Sequence, residues 1–214
     1  PGAENGTPPQ VFVGRINEFH YDNAGADIGE FIEVRVAAGT DVSATTLALY
    51  NGNGGGLYNT LSLPAAPASS DGAFDYYVVD APGLQNGAPD GIALVNGGTV
   101  IEFLSYEGTM TAADGPAVGL SSTDVGVAEA SGTPVGFSLQ RNDDGTWRAP
   151  ETESRGEAND GATPPANVAI NEFRVSSSGA SDDTSNFVEL TAAPGQGFDG
   201  LTLLAVSGEF EPGQ

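Results

Sequence analysis

The chain has 214 residues, no cysteine, and 29 acidic side chains against 6 basic ones, all arginine, for a formal net charge of −23. This excludes disulfide bonding, sets charge repulsion against direct nucleic-acid binding by this surface, and suits saline surroundings or the gathering of divalent cations. A hydrophobic content of 39% argues for a folded chain, and no run nears the ~18 apolar residues of a membrane span.

Residues 1–10 are rich in Gly and Pro and form a leader or linker. Strand-like runs follow, separated by turn residues: 11–19, 30–36 and 45–50. The glycine-rich reversal Asn51-Gly52-Asn53-Gly54-Gly55-Gly56 leads into a returning arm over 57–63. Strands are then expected at 73–79, 91–95 and 99–106, the last two joined by the tight turn Asn96-Gly97-Gly98. A short helical turn is expected near 109–114. Strands at 135–140 and 146–148 close the domain around Asn142-Asp143-Asp144-Gly145. No window sustains a 3.6-residue apolar period, so the chain is all-β, and this many short strands suit a sandwich.

A long internal repeat organises the chain. Ile16-Asn17-Glu18-Phe19 recurs as Ile170-Asn171-Glu172-Phe173, and Phe31-Ile32-Glu33-Val34 recurs as Phe187-Val188-Glu189-Leu190, at offsets of 154 and 156 residues. Thr46–Gly52 aligns with Thr202–Gly208 in the same register. Solenoid repeats are about 20–50 residues long, so this repeat is a whole domain. The expected organisation is a domain over 11–157, a Pro-containing linker over 158–167, and the N-terminal portion of a second, incomplete β domain over 168–214. The chain is therefore expected to be part of something longer.

Catalytic chemistry finds little support in the residues. His20 is the only histidine, no Gly-x-Ser-x-Gly elbow occurs, and without thiols one histidine cannot build a usual zinc site. Calcium is the more serious chemistry, because its six to eight ligands are hard oxygens that Asp, Asn, Glu and turn carbonyls supply. Asp22, Asn23, Asp27 and Glu30 form the best candidate group. Asp80, Asn86 and Asp90 form a second, and Asn142, Asp143 and Asp144 a third. The competing reading is that such residues favour turns because they cap their own backbone. Glu18 and Glu33 recur in both copies and are expected to be structural, in Glu–Arg pairs two apart or across strands. A carbohydrate platform would need exposed aromatics, for which Tyr21, Tyr50, Tyr58, Tyr76, Tyr77 and Tyr106 are the candidates, whereas Trp147 is expected in the core.

Several separated blocks carry a family resemblance: Ile16–Asn23, Gly29–Val34, Leu49–Gly52, Pro82–Leu94, Phe103–Gly108, and Trp147 with Gly156 and Asn159. Together they resemble the lamin-tail domain family, closest to its bacterial secreted members, over roughly residues 10–160. The resemblance implies an immunoglobulin-like β-sandwich without catalytic residues. It implies an accessory or adhesion module at the cell surface or outside the cell, attached to a larger protein such as a secreted nuclease or phosphoesterase. Expected partners are other domains of the same chain or neighbouring protein subunits. The alternative is a structural subunit whose incomplete second domain invites strand addition, giving oligomers or filaments.

Overall fold

The computed structural model describes residues 12–159, 169–174 and 187–191. The leader, the linker beyond Asn159 and the Thr202–Gly208 block lie outside these residues. The chain divides into two compact units, 1–162 and 163–214. No helix among the described residues is long and apolar enough to cross a membrane.

The first unit is all-β. Its strands are β1 (Gly14–His20), β2 (Phe31–Ala37), β3 (Thr45–Asn51), β4 (Gly56–Ser62), β5 (Ser69–Ser70), β6 (Phe74–Asp80), β7 (Asp90–Asn96), β8 (Thr99–Tyr106), β9 (Thr123–Asp124), β10 (Phe137–Arg141) and β11 (Trp147–Thr152). They form a six-stranded sheet in the order β11-β10-β1-β2-β6-β5 and a five-stranded sheet in the order β4-β3-β7-β8-β9. All pairings are antiparallel except β8 with β9. The β7–β8 turn carries positive φ at both Gly97 and Gly98, the backbone that a two-residue hairpin demands.

Alternating side chains of the two sheets meet in one core. Ile16, Phe19, Ile32, Val34 and Leu139 come from one sheet, and Leu47, Leu49, Ile92, Leu94 and Leu104 from the other. Each fully buried large apolar side chain contributes about 1.5–3 kcal/mol. A second cluster lies around Tyr50, Ala93, Val95, Phe103 and Met110. Residues 107–122 pack there, with the Ala117 N–H donating to the Tyr50 hydroxyl at 2.9 Å. β3 and β7 are thus buried along nearly their whole length, as in strands covered on both faces. The helical turn expected near 109–114 does not form. Thr111 bridges Ser121 instead, and the backbone of Ala112 bonds with Leu120 and Gly119.

The tyrosines are not a surface platform. Tyr21, Tyr50, Tyr76, Tyr77 and Tyr106 are all buried, and Tyr58 packs against the core. Trp147 stands edge-on to Phe19 with ring centroids 5.1 Å apart.

In the second unit the described residues form one antiparallel hairpin, β12 (Ala169–Arg174) with β13 (Phe187–Thr191).

Candidate functional site

Two polar networks in the first unit gather the chemically capable side chains. The first is built on a β-bulge. Ile16 pairs with Val34, but the next register pair is Glu18 with Glu33, leaving Asn17 as the extra residue. The core-facing sequence of β1 therefore steps from Ile16 to Phe19. Glu18 and Glu33, both fully buried, stand directly opposite one another across the two strands. Like charges in that arrangement repel, so each carboxyl needs hydrogen-bond donors.

Those donors come from β10 and from the segment after β11. The Glu18 Oε1 accepts from the Ser138 hydroxyl at 2.6 Å and the Ser154 N–H at 2.9 Å, and its Oε2 accepts from the Ser154 hydroxyl at 2.7 Å. The Glu33 Oε1 accepts from Asn17 Nδ2 at 2.8 Å and its Oε2 from the Gly156 N–H at 2.6 Å. Gly156 has φ +85°, and the turn there aims its N–H at Glu33. Asn159 completes the clasp: its Oδ1 accepts from Asn17 Nδ2, and its Nδ2 donates to the carbonyls of Asn17 and Arg141, all at 2.9 Å. The folded unit thus reaches Asn159, and residues 153–159 form a strap fastened to the bulge.

Burial raises the Glu33 pKa, opposed by the Asn17 hydrogen bond and assisted by the Glu18 charge, to about 8. Burial also raises that of Glu18, against the donors Ser138 and Ser154. The Glu–Arg pairing expected for these residues is absent. Arg35 instead pairs with Asp143 at 2.7 Å and lies over the Phe74 ring, and Arg155 pairs with Asp80. The carboxyls take hydroxyls and N–H groups in place of arginine: Arg141 and Arg15 reach the bulge, but at the Ile16 carbonyl and Asn17 Oδ1.

The second network lies where β1 leaves the sheet. His20 is 1% exposed. Its Nδ1 lies 2.9 Å from Glu129 Oε1, and its Nε2 lies 3.2 Å from Asn23 Oδ1. The Asn23 amide is fixed in orientation, since its Nδ2 donates to the carbonyls of Ala24 and Ala26 while its Oδ1 accepts from the Ile28 N–H. Both imidazole nitrogens therefore face acceptors, an arrangement that favours the protonated ring. Burial lowers its pKa, but the Glu129 hydrogen bond and charge outweigh this and raise it. Glu129 Oε2 also accepts the N–H groups of Tyr21 and Asp22 at 2.7 and 2.9 Å. The Tyr21 hydroxyl donates to Glu107 at 2.9 Å and accepts from the Glu129 N–H. Glu107 holds φ +60°, the only described non-glycine residue in the left-handed region.

The calcium candidates distribute as follows. Asp27 accepts from the Asn23 N–H at 3.4 Å and from Asn86 Nδ2 at 3.1 Å, which joins the first group to one member of the second. Asp22 has its pKa raised by burial and by neighbouring Asp27. Glu30 accepts from the Gly83 N–H at 3.2 Å. Asp80 is held by Arg155, apart from Asn86. Asp90 is buried, with Oδ1 on the Gly52 N–H at 3.0 Å and Oδ2 without a hydrogen-bond partner. In the third group Asp143 takes both Arg15 and Arg35, while Asn142 and Asp144 bond Thr146. Among the described residues no three His, Cys, Asp or Glu side chains are grouped to hold a metal ion. Sequence reading missed Glu129 and Ser154, which lie in loops far along the chain from the residues they hold.

The second unit repeats the bulge. Ile170 pairs with Leu190 and Glu172 with Glu189, and Asn171 Nδ2 donates to Glu189 at 2.5 Å, as Asn17 does to Glu33. Comparison with protein-family models, curated proteins and solved structures found no match for this chain.

Proposed function

We propose that the chain is a non-catalytic, tandemly repeated β-sandwich module of the lamin-tail, immunoglobulin-like type. It serves as an accessory or adhesion part of a larger secreted or cell-surface protein, such as an extracellular nuclease or phosphoesterase. The observation that carries this reading is the repeated bulge. The polar residues shared by the two copies are those whose first-copy members clasp the strap, and the shared apolar ones fill the first unit's interior, so the repeat propagates scaffold. The one histidine supports the same reading, being engaged on both nitrogens inside the protein.

Two measurements test the reading on the whole chain. Antiserum against it should label intact source cells or recover the protein from their medium; detection only after lysis would refute the extracellular assignment. Incubation with phosphomonoester, phosphodiester and glycoside substrates should release no product. Turnover abolished by Glu129→Gln or Glu18→Gln would refute the non-catalytic assignment.

A further inference from the structure

A cavity of about 280 Å³ lies in the first unit between β8–β9 of one sheet and the β10–β11 hairpin of the other. Leu104 and Val125, both buried in the core, and the half-buried Val127 and Trp147 supply its apolar lining. Its charged lining is of both signs. The Arg141 guanidinium is fixed, with Nη1 donating to Glu102 at 2.8 Å and to the Ile16 carbonyl at 3.3 Å, and Nε donating to the Gly145 carbonyl at 3.3 Å. It lies 5.7 Å from the Trp147 ring centroid. Its Nη2 has no hydrogen-bond partner among the described residues, and it stands beside Gly145, where an added Cβ would meet it at 4.0 Å. Asp124, exposed on β9, accepts the Gly126 N–H through Oδ1 at 3.0 Å, while its Oδ2 has no partner among the described residues.

We propose that this cavity binds one neutral pyranose ring of a saccharide, stacked on Trp147, with its hydroxyls shared between Arg141 and Asp124. The lining selects that class by elimination. An anion is repelled by Asp124 and by a net charge of −23, and a cation meets the Arg141 guanidinium. A wholly apolar ligand would cover the remaining guanidinium N–H groups and the carboxylate oxygen without pairing them. A hydroxyl both accepts and donates, so neighbouring ring hydroxyls satisfy Arg141 and Asp124 together. The C–H face of the ring meets the electron-rich face of the indole. Ligand sites run from about 300 to 1,000 Å³, so a cavity of this size has room for a single ring. Because Glu102 and two carbonyls already hold the guanidinium in place, little side-chain freedom is lost on binding.

The test follows the fluorescence of Trp147, the single tryptophan, while the whole chain is titrated with glucose, galactose, mannose, xylose and N-acetylglucosamine, each free and as its methyl glycoside. Sorbitol, which has the hydroxyls without the ring, and inorganic phosphate are the controls. Expected is a saturable change in emission with at least one sugar and with neither control. Binding of the methyl glycoside alongside the free sugar identifies glycan ends as the source; binding of the free sugar alone identifies soluble sugar. Asp124→Asn keeps the shape of an exposed side chain and should leave the urea midpoint in place, yet weaken the sugar at least about tenfold. No saturable change with any sugar, an equal response to sorbitol or phosphate, or an affinity indifferent to Asp124→Asn would overturn the proposal. The site rests on the cavity and not on the module reading, so failure here leaves the surface-labelling test untouched.

Discussion

Replacing Glu33 by Gln separates charge from shape at the centre of the clasp. Glu33 has a pKa raised from 4.5 to about 8 in the folded protein. A group bound more tightly to its proton in the folded state stabilises the fold fully below its unfolded pKa. That stability is lost as pH rises through the folded pKa. The window is therefore about pH 4.5 to 8, and at ~1.4 kcal/mol per pKa unit the loss across it is at most about 5 kcal/mol. Glu33→Gln removes this titration but leaves the Gly156 N–H facing a donor or unpaired, a cost of about 1–3 kcal/mol that does not vary with pH. The variant should thus be the less stable protein at pH 5, and the difference should narrow by several kcal/mol, or reverse, by pH 8–9. Urea unfolding followed by the fluorescence of Trp147, the single tryptophan, reports the first unit alone. Parallel stability–pH curves for the two proteins would show that Glu33 does not titrate with folding.

The second network makes its own predictions. The only imidazole in the chain should titrate above 6.5 by NMR, because burial is outweighed by Glu129, and should titrate below 6.5 in Glu129→Ala. That variant also breaks a buried pair and should cost about 3–5 kcal/mol in urea unfolding at acid pH, where the ring is charged. Because the His20 pKa is raised by folding, its contribution is complete below pH 6.5 and disappears as pH climbs through the folded value. Gly156→Ala places a Cβ at φ +85° and 3.3 Å from Ala68 Cβ; it should cost about 1–3 kcal/mol, with proteolysis starting in the strap. Millimolar calcium should leave the melting temperature unchanged if Asp22, Asn23, Asp27, Glu30 and Asn86 serve the loops alone. A saturable calorimetric signal lost in Asp27→Asn would assign the ion to them.

Strand positions were legible because apolar alternation and glycine turns are local signals. The nine strands expected over 11–148 all form, within a few residues of the expected ends. β5 and β9, two residues each, leave no such signal. The extra residue at Asn17 was hidden in a run of five consecutive buried side chains, where period-two reading gives no register. The importance of Glu18 and Glu33 was visible in the repeat, yet their partners were not. Ser138, Ser154, Gly156 and Asn159 lie more than a hundred residues away along the chain, and serines and glycines in turns carry no sequence mark of the carboxyl they bind. The loop acids show how spacing alone leaves partners undetermined. Their spacing suggested three separate groups of hard-oxygen ligands, or turn residues that cap their own backbone, and in the fold Asp80 pairs with Arg155, Glu30 accepts from Gly83 and Asp90 from Gly52.

The repeated asparagine and glutamates hold the strap to the bulge. Hydrogen exchange at the Ser154 and Gly156 amides, measured by NMR on the whole chain near pH 6, tests it most directly. Both amides should exchange as slowly as the core amides of β1 and β2 in the natural sequence, and should approach free-chain rates in Glu18→Ala for Ser154 and Glu33→Ala for Gly156. Fast exchange of both amides in the unaltered protein would mean that the carboxyls do not hold the strap.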